Sequence, residues 1–285
     1  MRRFGCGAGC KLATLGLEDR LIDLHSRVHR GAYRAKPSRR AYIPKADGRQ
    51  RPLGVAALED KVVQHGVVTI LNAIYEEDFL GFSYGFRPGR GQHQALDALT
   101  YALLGKKVNY VLDADIQAFF DRIDKSWMIK FMEHRVADRR LLRLIQKWLN
   151  AGVMEEGQWS ETETGTPQGA VISPLLANIY LHYAFDLWVE AWRKKSAQGD
   201  VIVIRYADDT VLGFQHRAEA DRFLQDLRKR LGSLDWNSIP IRRAGSSSGG
   251  LPTRTGNREG KESPRRSTFW ASRTYAGRPG TGPSR

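Results

Sequence analysis

Two acidic clusters set the chemistry this chain could perform. The stretch VIVIRYADDTVLGF, residues 201–214, puts Asp208 and Asp209 side by side between apolar, β-branched runs. Aspartate favours turns because its carboxylate bonds nearby backbone N–H groups, so a hairpin turn explains the pair by itself. Two carboxylates on a tight hairpin also suit a hard divalent cation such as Mg²⁺, which takes oxygen ligands. A third carboxylate would separate the two readings, and YVLDADIQAFFDRID supplies candidates. A strand ending in Leu112 delivers Asp113 and Asp115, which alternation turns toward one face while Ala114 takes the other. Asp121 and Asp124 fall in a turn or helix start, where capping and solvent contact account for them.

The elements that must position these residues can be read from periodicity. Residues 17–30 form an amphipathic helix, and YIPKADGRQRPLG reads as two strands around an Asp47-Gly48 turn. LEDKVVQHGVVTILNAIYEEDF has the length of a mostly buried helix; FSYGFRPGRGQ is a basic, Gly-rich loop, and HQALDALTYALL is a further helix. Residues 125–150 are helical, and 157–169 are a polar, Gly-punctuated connection. Ser173-Pro174 supplies an N-cap and first helical residue, with an apolar stripe of Leu176, Tyr180, Tyr183, Leu187 and Ala191 running to about Trp192. The hairpin of 201–214 comes next, then a charged amphipathic helix over 216–231. Helices alternating with hairpins predict an α+β fold rather than a doubly wound parallel sheet.

The chain has 285 residues, 45 basic against 31 acidic, for a net charge of +14 and a pI near 10.0. That balance favours a polyanionic partner, nucleic acid first and an anionic membrane surface second. No window is long and apolar enough for a membrane span, Lys11 interrupts any signal-peptide core, and a cytoplasmic location is expected. Past Trp236 the composition changes: 21 of the last 49 residues are Gly, Ser or Pro, and this segment carries +8 of the net charge. Such a tail is expected to be disordered, since it has little apolar surface to bury. It also leaves residues 1–236 with only +6. Cys6-x3-Cys10 and His25-x3-His29 approach a zinc-finger spacing, but Leu17, Leu21, Leu24 and Val28 make a helical stripe that leaves both histidines off it, so a solvated helix is the preferred reading.

DADIQAFFDRID, GTPQGAVISPLLANIYL and RYADDTVL occur in the order and spacing of the acidic and flanking motifs of group II intron reverse transcriptases, which the chain resembles over about residues 20–231. YIPKADGRQRPLG and FSYGFRPGRGQHQAL resemble the finger motifs of the same family. The resemblance implies right-hand polymerase fingers and palm over 17–236, after a 1–16 extension, with an antiparallel palm sheet packed on helices. It implies RNA-directed DNA synthesis by two-metal nucleotidyl transfer, with Asp115, Asp208 and Asp209 holding two Mg²⁺ ions, or Mn²⁺ in their place, and Asp113 as a structural carboxylate. Lys45 and Arg51 would clamp the incoming dNTP, Phe120 would gate against the ribose 2′-hydroxyl, and Gln168 and Gly169 would lie beside the nascent base pair. Arg87 and Arg90 would touch template or primer phosphates. The partners implied are an RNA template, a DNA primer, dNTPs and a group II intron RNA whose splicing the protein would assist, with no membrane.

The sequence departs from that family at its ends. A thumb or maturase domain is not expected beyond Trp236, and the abrupt change near Leu234–Ile239 suggests a reading-frame shift, which translation of the other two frames would test. An RNA-binding remnant without catalysis is therefore the competing function.

Overall fold

The computed structural model describes residues 16–44, 48, 50–115, 119–161, 165, 169–234 and 241–244. One unit spans Met1–Gly245; the second, Ser246–Arg285, lies outside the described residues.

The apolar run of the 201–214 stretch folds as a hairpin of β6 (Val201–Tyr206) and β7 (Asp209–Phe214). Strand β3 (Tyr110–Asp115) lies antiparallel on the other side of β7, and β8 (Ile241–Ala244) lies antiparallel beyond β3. The sheet order is therefore β6-β7-β3-β8. Residues 210–214 of β7 are all buried, a continuous run in place of alternation, because a central strand covered on both faces has no solvent side. Helix α9 (Arg217–Gly232) packs on β7 and β3, and α3 (Gln92–Gly105) packs on β6. Phe214, Trp192 and Phe223 interlock between the sheet and two helices, with ring centroids 5.0–6.2 Å apart. Strand β8 begins past Trp236, where pairing with β3 gives 241–244 backbone partners that composition does not register.

A second sheet, in the order β2-β1-β4-β5, is built on the hairpin of β1 (Ser38–Pro44) and β2 (Gln50–Val55). Strand β4 (Val153–Glu155) runs parallel to β1 and antiparallel to β5 (Gln158–Ser160). The expected loop at 157–169 thus contains a strand. Its turn, Glu156 and Gly157, has positive φ at both positions, 48° and 80°, as a two-residue hairpin requires.

The remaining helices are α1 (Leu17–His29), α2 (Leu58–Tyr75), the short α4 (Phe119–Arg122), α5 (Lys125–Glu133) and α6 (Arg139–Leu149). The single helical region expected over 125–150 divides because Asp138 caps α6, accepting from Arg140 N at 2.7 Å. Asp124 caps α5 as expected, accepting from Trp127 N at 2.8 Å. Helix α7 (Ser173–Leu181) has Ile172 rather than Ser173 at its N-cap position, with no side-chain capping bond. It then passes through a π-helical segment, His182–Asp186, before α8 (Leu187–Ser196). The extra residue of the π turn shifts the phase of α8 by about 100°. The predicted apolar stripe accordingly holds at Leu176 and Tyr180 but fails at Leu187 and Ala191, which are exposed while Val189 and Trp192 are buried. No helix among the described residues is long and apolar enough to cross a membrane.

Candidate active site

Strand register gathers three of the predicted carboxylates at one end of the β6-β7-β3-β8 sheet. Tyr206 pairs with Asp209, which leaves Ala207 and Asp208 as a two-residue turn. On the other side of β7, Asp115 stands directly opposite Asp209. Residues so paired have Cα atoms about 4.5–5.5 Å apart. Asp113 is two residues back along β3, opposite Val211. Register thus puts Asp115, Asp208 and Asp209 at one end of the sheet, and carboxylate oxygens are hard donors of the kind Mg²⁺ takes.

The turn itself has an unusual backbone. Ala207 has φ 57° at the first central position, where a glycine is usual, and such a conformation persists only where its surroundings over-determine it. Those surroundings centre on Arg205, which is 0% exposed. Its guanidinium meets Asp186 in two parallel bonds, Nε to Oδ1 at 2.7 Å and Nη2 to Oδ2 at 2.6 Å. Nη2 also donates to Ser83 Oγ at 2.7 Å, while Nη1 donates to Asn178 Oδ1 at 3.1 Å and to the carbonyl of Ala207 at 2.8 Å. The backbone of Arg205 is held as well, its N–H by the Phe82 carbonyl at 2.8 Å and its carbonyl by Tyr84 N at 2.9 Å. Gly85 lies so near the turn that an added Cβ would sit 2.2 Å from Ala207 N, and its carbonyl accepts from Asn178 Nδ2 at 2.7 Å. The loop FSYG, helix α7, the π segment and the aspartate turn are thereby tied together. Ser83, Gly85, Asn178 and Arg205 fall within the motifs quoted above, but neither they nor Asp186 received a role there. A signal was nevertheless present: Arg205 and Asp186 are charges placed within apolar runs, where burial demands a partner of opposite sign.

The other predicted residues divide by placement. Arg51 is half-buried on β2, opposite Ile43; Lys45 and Gln168 lie outside the described residues, as do Cys6 and Cys10. Gly169 has φ 105°, and a Cβ there would approach the Gly54 carbonyl of β2 to 3.0 Å, so the glycine seats this loop against the first hairpin. Phe119 is buried in the core, whereas Phe120 is half-buried with its ring 5.4 Å from that of Phe119. Arg87 corrects an expectation: its side chain is 3% exposed, ion-paired to Glu76 at 2.8 Å and bonded to the Leu80 and Ser83 carbonyls, so it braces the loop instead of facing phosphates. Arg90 also bonds inward, to the Gly81 carbonyl at 2.7 Å, and lies over the Tyr84 ring. His25 and His29 are both exposed on α1, their rings 5.7 Å apart.

A helix-backed antiparallel sheet with carboxylates at one end, together with a second four-stranded sheet built on a hairpin, defines the palm and fingers of a right-hand polymerase. The chain belongs to the family described as reverse transcriptase (RNA-dependent DNA polymerase), which residues 43–238 match. It is 35% identical over 226 residues to protein YkfC of Escherichia coli (strain K12), an alignment covering 67% of this chain and 58% of that protein. It is 39% identical over 166 residues to the group II intron-encoded protein LtrA of Lactococcus lactis subsp. cremoris, covering 58% of this chain and 27% of that protein. An uncharacterized 91 kDa protein in the cob intron of Schizosaccharomyces pombe is 42% identical over 146 residues, covering 51% of this chain and 18% of that protein. The chain thus spans little more than half of the first of these relatives and about a quarter of the second. In fold it is similar to the telomerase of Candida tropicalis, with a TM-score of 0.57 at 13% identity, covering 77% of this chain and 52% of that one.

Proposed function

We propose that this chain carries the nucleotidyl-transfer centre of a group II intron reverse transcriptase and copies RNA into DNA. One observation carries the reading: Asp115 is in register with Asp209, and Asp208 is on the adjoining two-residue turn. In the reaction the primer 3′-oxygen attacks the α-phosphorus of a dNTP. The new bond is 3′-O to Pα, the Pα–O bond to the β-phosphate breaks, and pyrophosphate leaves. Asp115, Asp208 and Asp209 would hold two Mg²⁺ ions. These ions supply stabilisation of charge on the attacking and leaving oxygens. Arg51, on β2 opposite Ile43, presents a guanidinium suited to the triphosphate, and Lys45 is its partner in this reading. Gly169, which the family likeness puts beside the nascent base pair, is seated on Gly54, where a Cβ would come within 3.0 Å of the carbonyl. Phe120, at the start of the helix after β3, is the gate against a 2′-hydroxyl. The RNA template is the class of partner that the relatives support, LtrA by its printed description as intron-encoded; an intron RNA whose splicing the protein assists belongs to the same reading.

Primer extension on an RNA template with dNTPs and Mg²⁺ tests it. The parent is expected to extend, and Asp208→Ala and Asp209→Ala to lower the rate by about 100- to 1,000-fold, the loss expected when a principal electrostatic group of a transition state is removed. Intact RNA binding with no extension by the parent would favour the non-catalytic remnant.

A further inference from the structure

We propose that Arg205 is the positioning residue of the metal-holding turn, bracing Ala207-Asp208-Asp209 from inside the protein. The inference rests on the polymerase reading and concerns how its carboxylates are kept in place. A guanidinium has five N–H donors, and all five of Arg205 find an acceptor on a different atom. Two of those bonds go to Asp186, so the positive charge is compensated within the core and Arg205 does not act as a counter-ion to Asp208 or Asp209. What it contributes to the site is geometric. Its bond to the Ala207 carbonyl fixes the peptide that leads into Asp208, and its backbone bonds to Phe82 and Tyr84 fix the stem from which the turn hangs.

The site itself creates the need for such a brace. Adjacent ionised aspartates repel, so a turn carrying Asp208 and Asp209 opposite Asp115 opens unless something holds it closed before the cation arrives. Gly85 abuts the turn from the FSYG loop, and Asn178 holds Gly85 and Arg205 at once. Lysine offers a point charge without the planar fork and cannot reproduce this set of bonds. Groups that orient metal ligands without touching the metal influence affinity or activity by roughly 10–100-fold.

The test uses the full chain with Arg205→Lys, Asp186→Asn and Ser83→Ala, and Asp208→Asn as the reference for a damaged site. Mn²⁺ binding to the protein alone is followed by electron paramagnetic resonance. The Mg²⁺ concentration giving half-maximal extension is measured with oligo(dT) on poly(rA) and dTTP. Arg205→Lys is expected to weaken Mn²⁺ binding and raise the half-activating Mg²⁺ roughly 10–100-fold. Ser83→Ala is expected to move both in the same direction by less, with KM for dTTP at saturating Mg²⁺ unchanged. Lower thermal stability with metal dependence equal to the parent's, in folded Arg205→Lys and Ser83→Ala, overturns the proposal and leaves the polymerase reading intact. Should Arg205→Lys not fold, Ser83→Ala decides alone. A parent showing neither extension nor Asp208-dependent Mn²⁺ binding overturns the polymerase reading, and this inference with it.

Discussion

At the scale of single residues, Arg205, a charge that matters for structure, sits within four positions of Asp208 and Asp209, two that matter for chemistry. Arg205 and Asp186 are both fully buried, and removing one partner strands the other's charge in the core, a cost of about 3–5 kcal/mol. Arg87 and Glu76 repeat the arrangement on the neighbouring loop, which is why a loop rich in arginine does not spend all of them on phosphates. The sequence made Asp208 and Asp209 conspicuous because the residues around them are apolar. Arg205 stood in the same strand unremarked, since a lone charge in VIVIRY reveals its partner only after the π segment has aimed Asp186 at it. Phe119 and Phe120 show how adjacent identical residues differ in burial: the first is core, the second half-buried with its ring 5.4 Å from the first. Phe120→Ala is expected to raise ribonucleotide incorporation relative to dNTP on the order of tenfold, read from single-turnover competition between dTTP and UTP. An unchanged preference would return Phe120 to the core.

At the scale of elements, periodicity located the hairpin, the strand bearing Asp113 and Asp115, and most helices, because each buries one face. It missed the short β4–β5 hairpin, whose three-residue strands give too little alternation to read, and the π segment, whose insertion is invisible to a pattern that assumes 3.6 residues per turn. That segment also carries His182, buried against Phe79 and Tyr183 with ring centroids 5.6 and 5.0 Å away. Burial pushes the imidazole below its ordinary value of 6.5, against the opposing charges of Asp186 and Asp78 and with smaller contributions from Arg205 and Arg87. The folded protein therefore holds His182 neutral where the unfolded chain would protonate it. Its contribution is complete above pH about 6.5 and is lost as pH falls through that value, since the unfolded state then binds more protons. Thermal melts at pH 7.5 and about pH 5.5 are expected to differ more for the parent than for His182→Phe, which cannot titrate. Equal differences in the two proteins would show that His182 is protonated within the fold.

At the scale of the whole molecule, the site is assembled from positions nearly a hundred residues apart, and only strand pairing made it one site. Charge is distributed differently from chemistry. Residues 1–236, which hold every proposed catalytic group, carry +6, whereas the last 49 carry +8. Arg242 and Arg243 of that +8 stand on β8, so residues 1–244 carry +8 and the 41 residues beyond them carry +6, a higher density of positive charge in the Gly- and Ser-rich segment than in the polymerase fold. The inward-bonded Arg87 and Arg90 widen that difference, because the folded region spends part of its positive charge on itself. Counterion release makes the division measurable: for single strands log K falls against log salt with a slope of about −0.7 per phosphate neutralised. Replacing Arg265, Arg266, Arg273 and Arg278 by Gln is therefore expected to flatten the salt dependence of RNA binding by up to about 3 in slope. Extension at low salt and saturating RNA should stay at the parent's rate, since these changes leave the carboxylates and their brace untouched. A slope equal to the parent's would assign the phosphate contacts to the folded region instead, and would make exposed basic residues such as Arg139, Arg140 and Arg143 on α6 the next to replace.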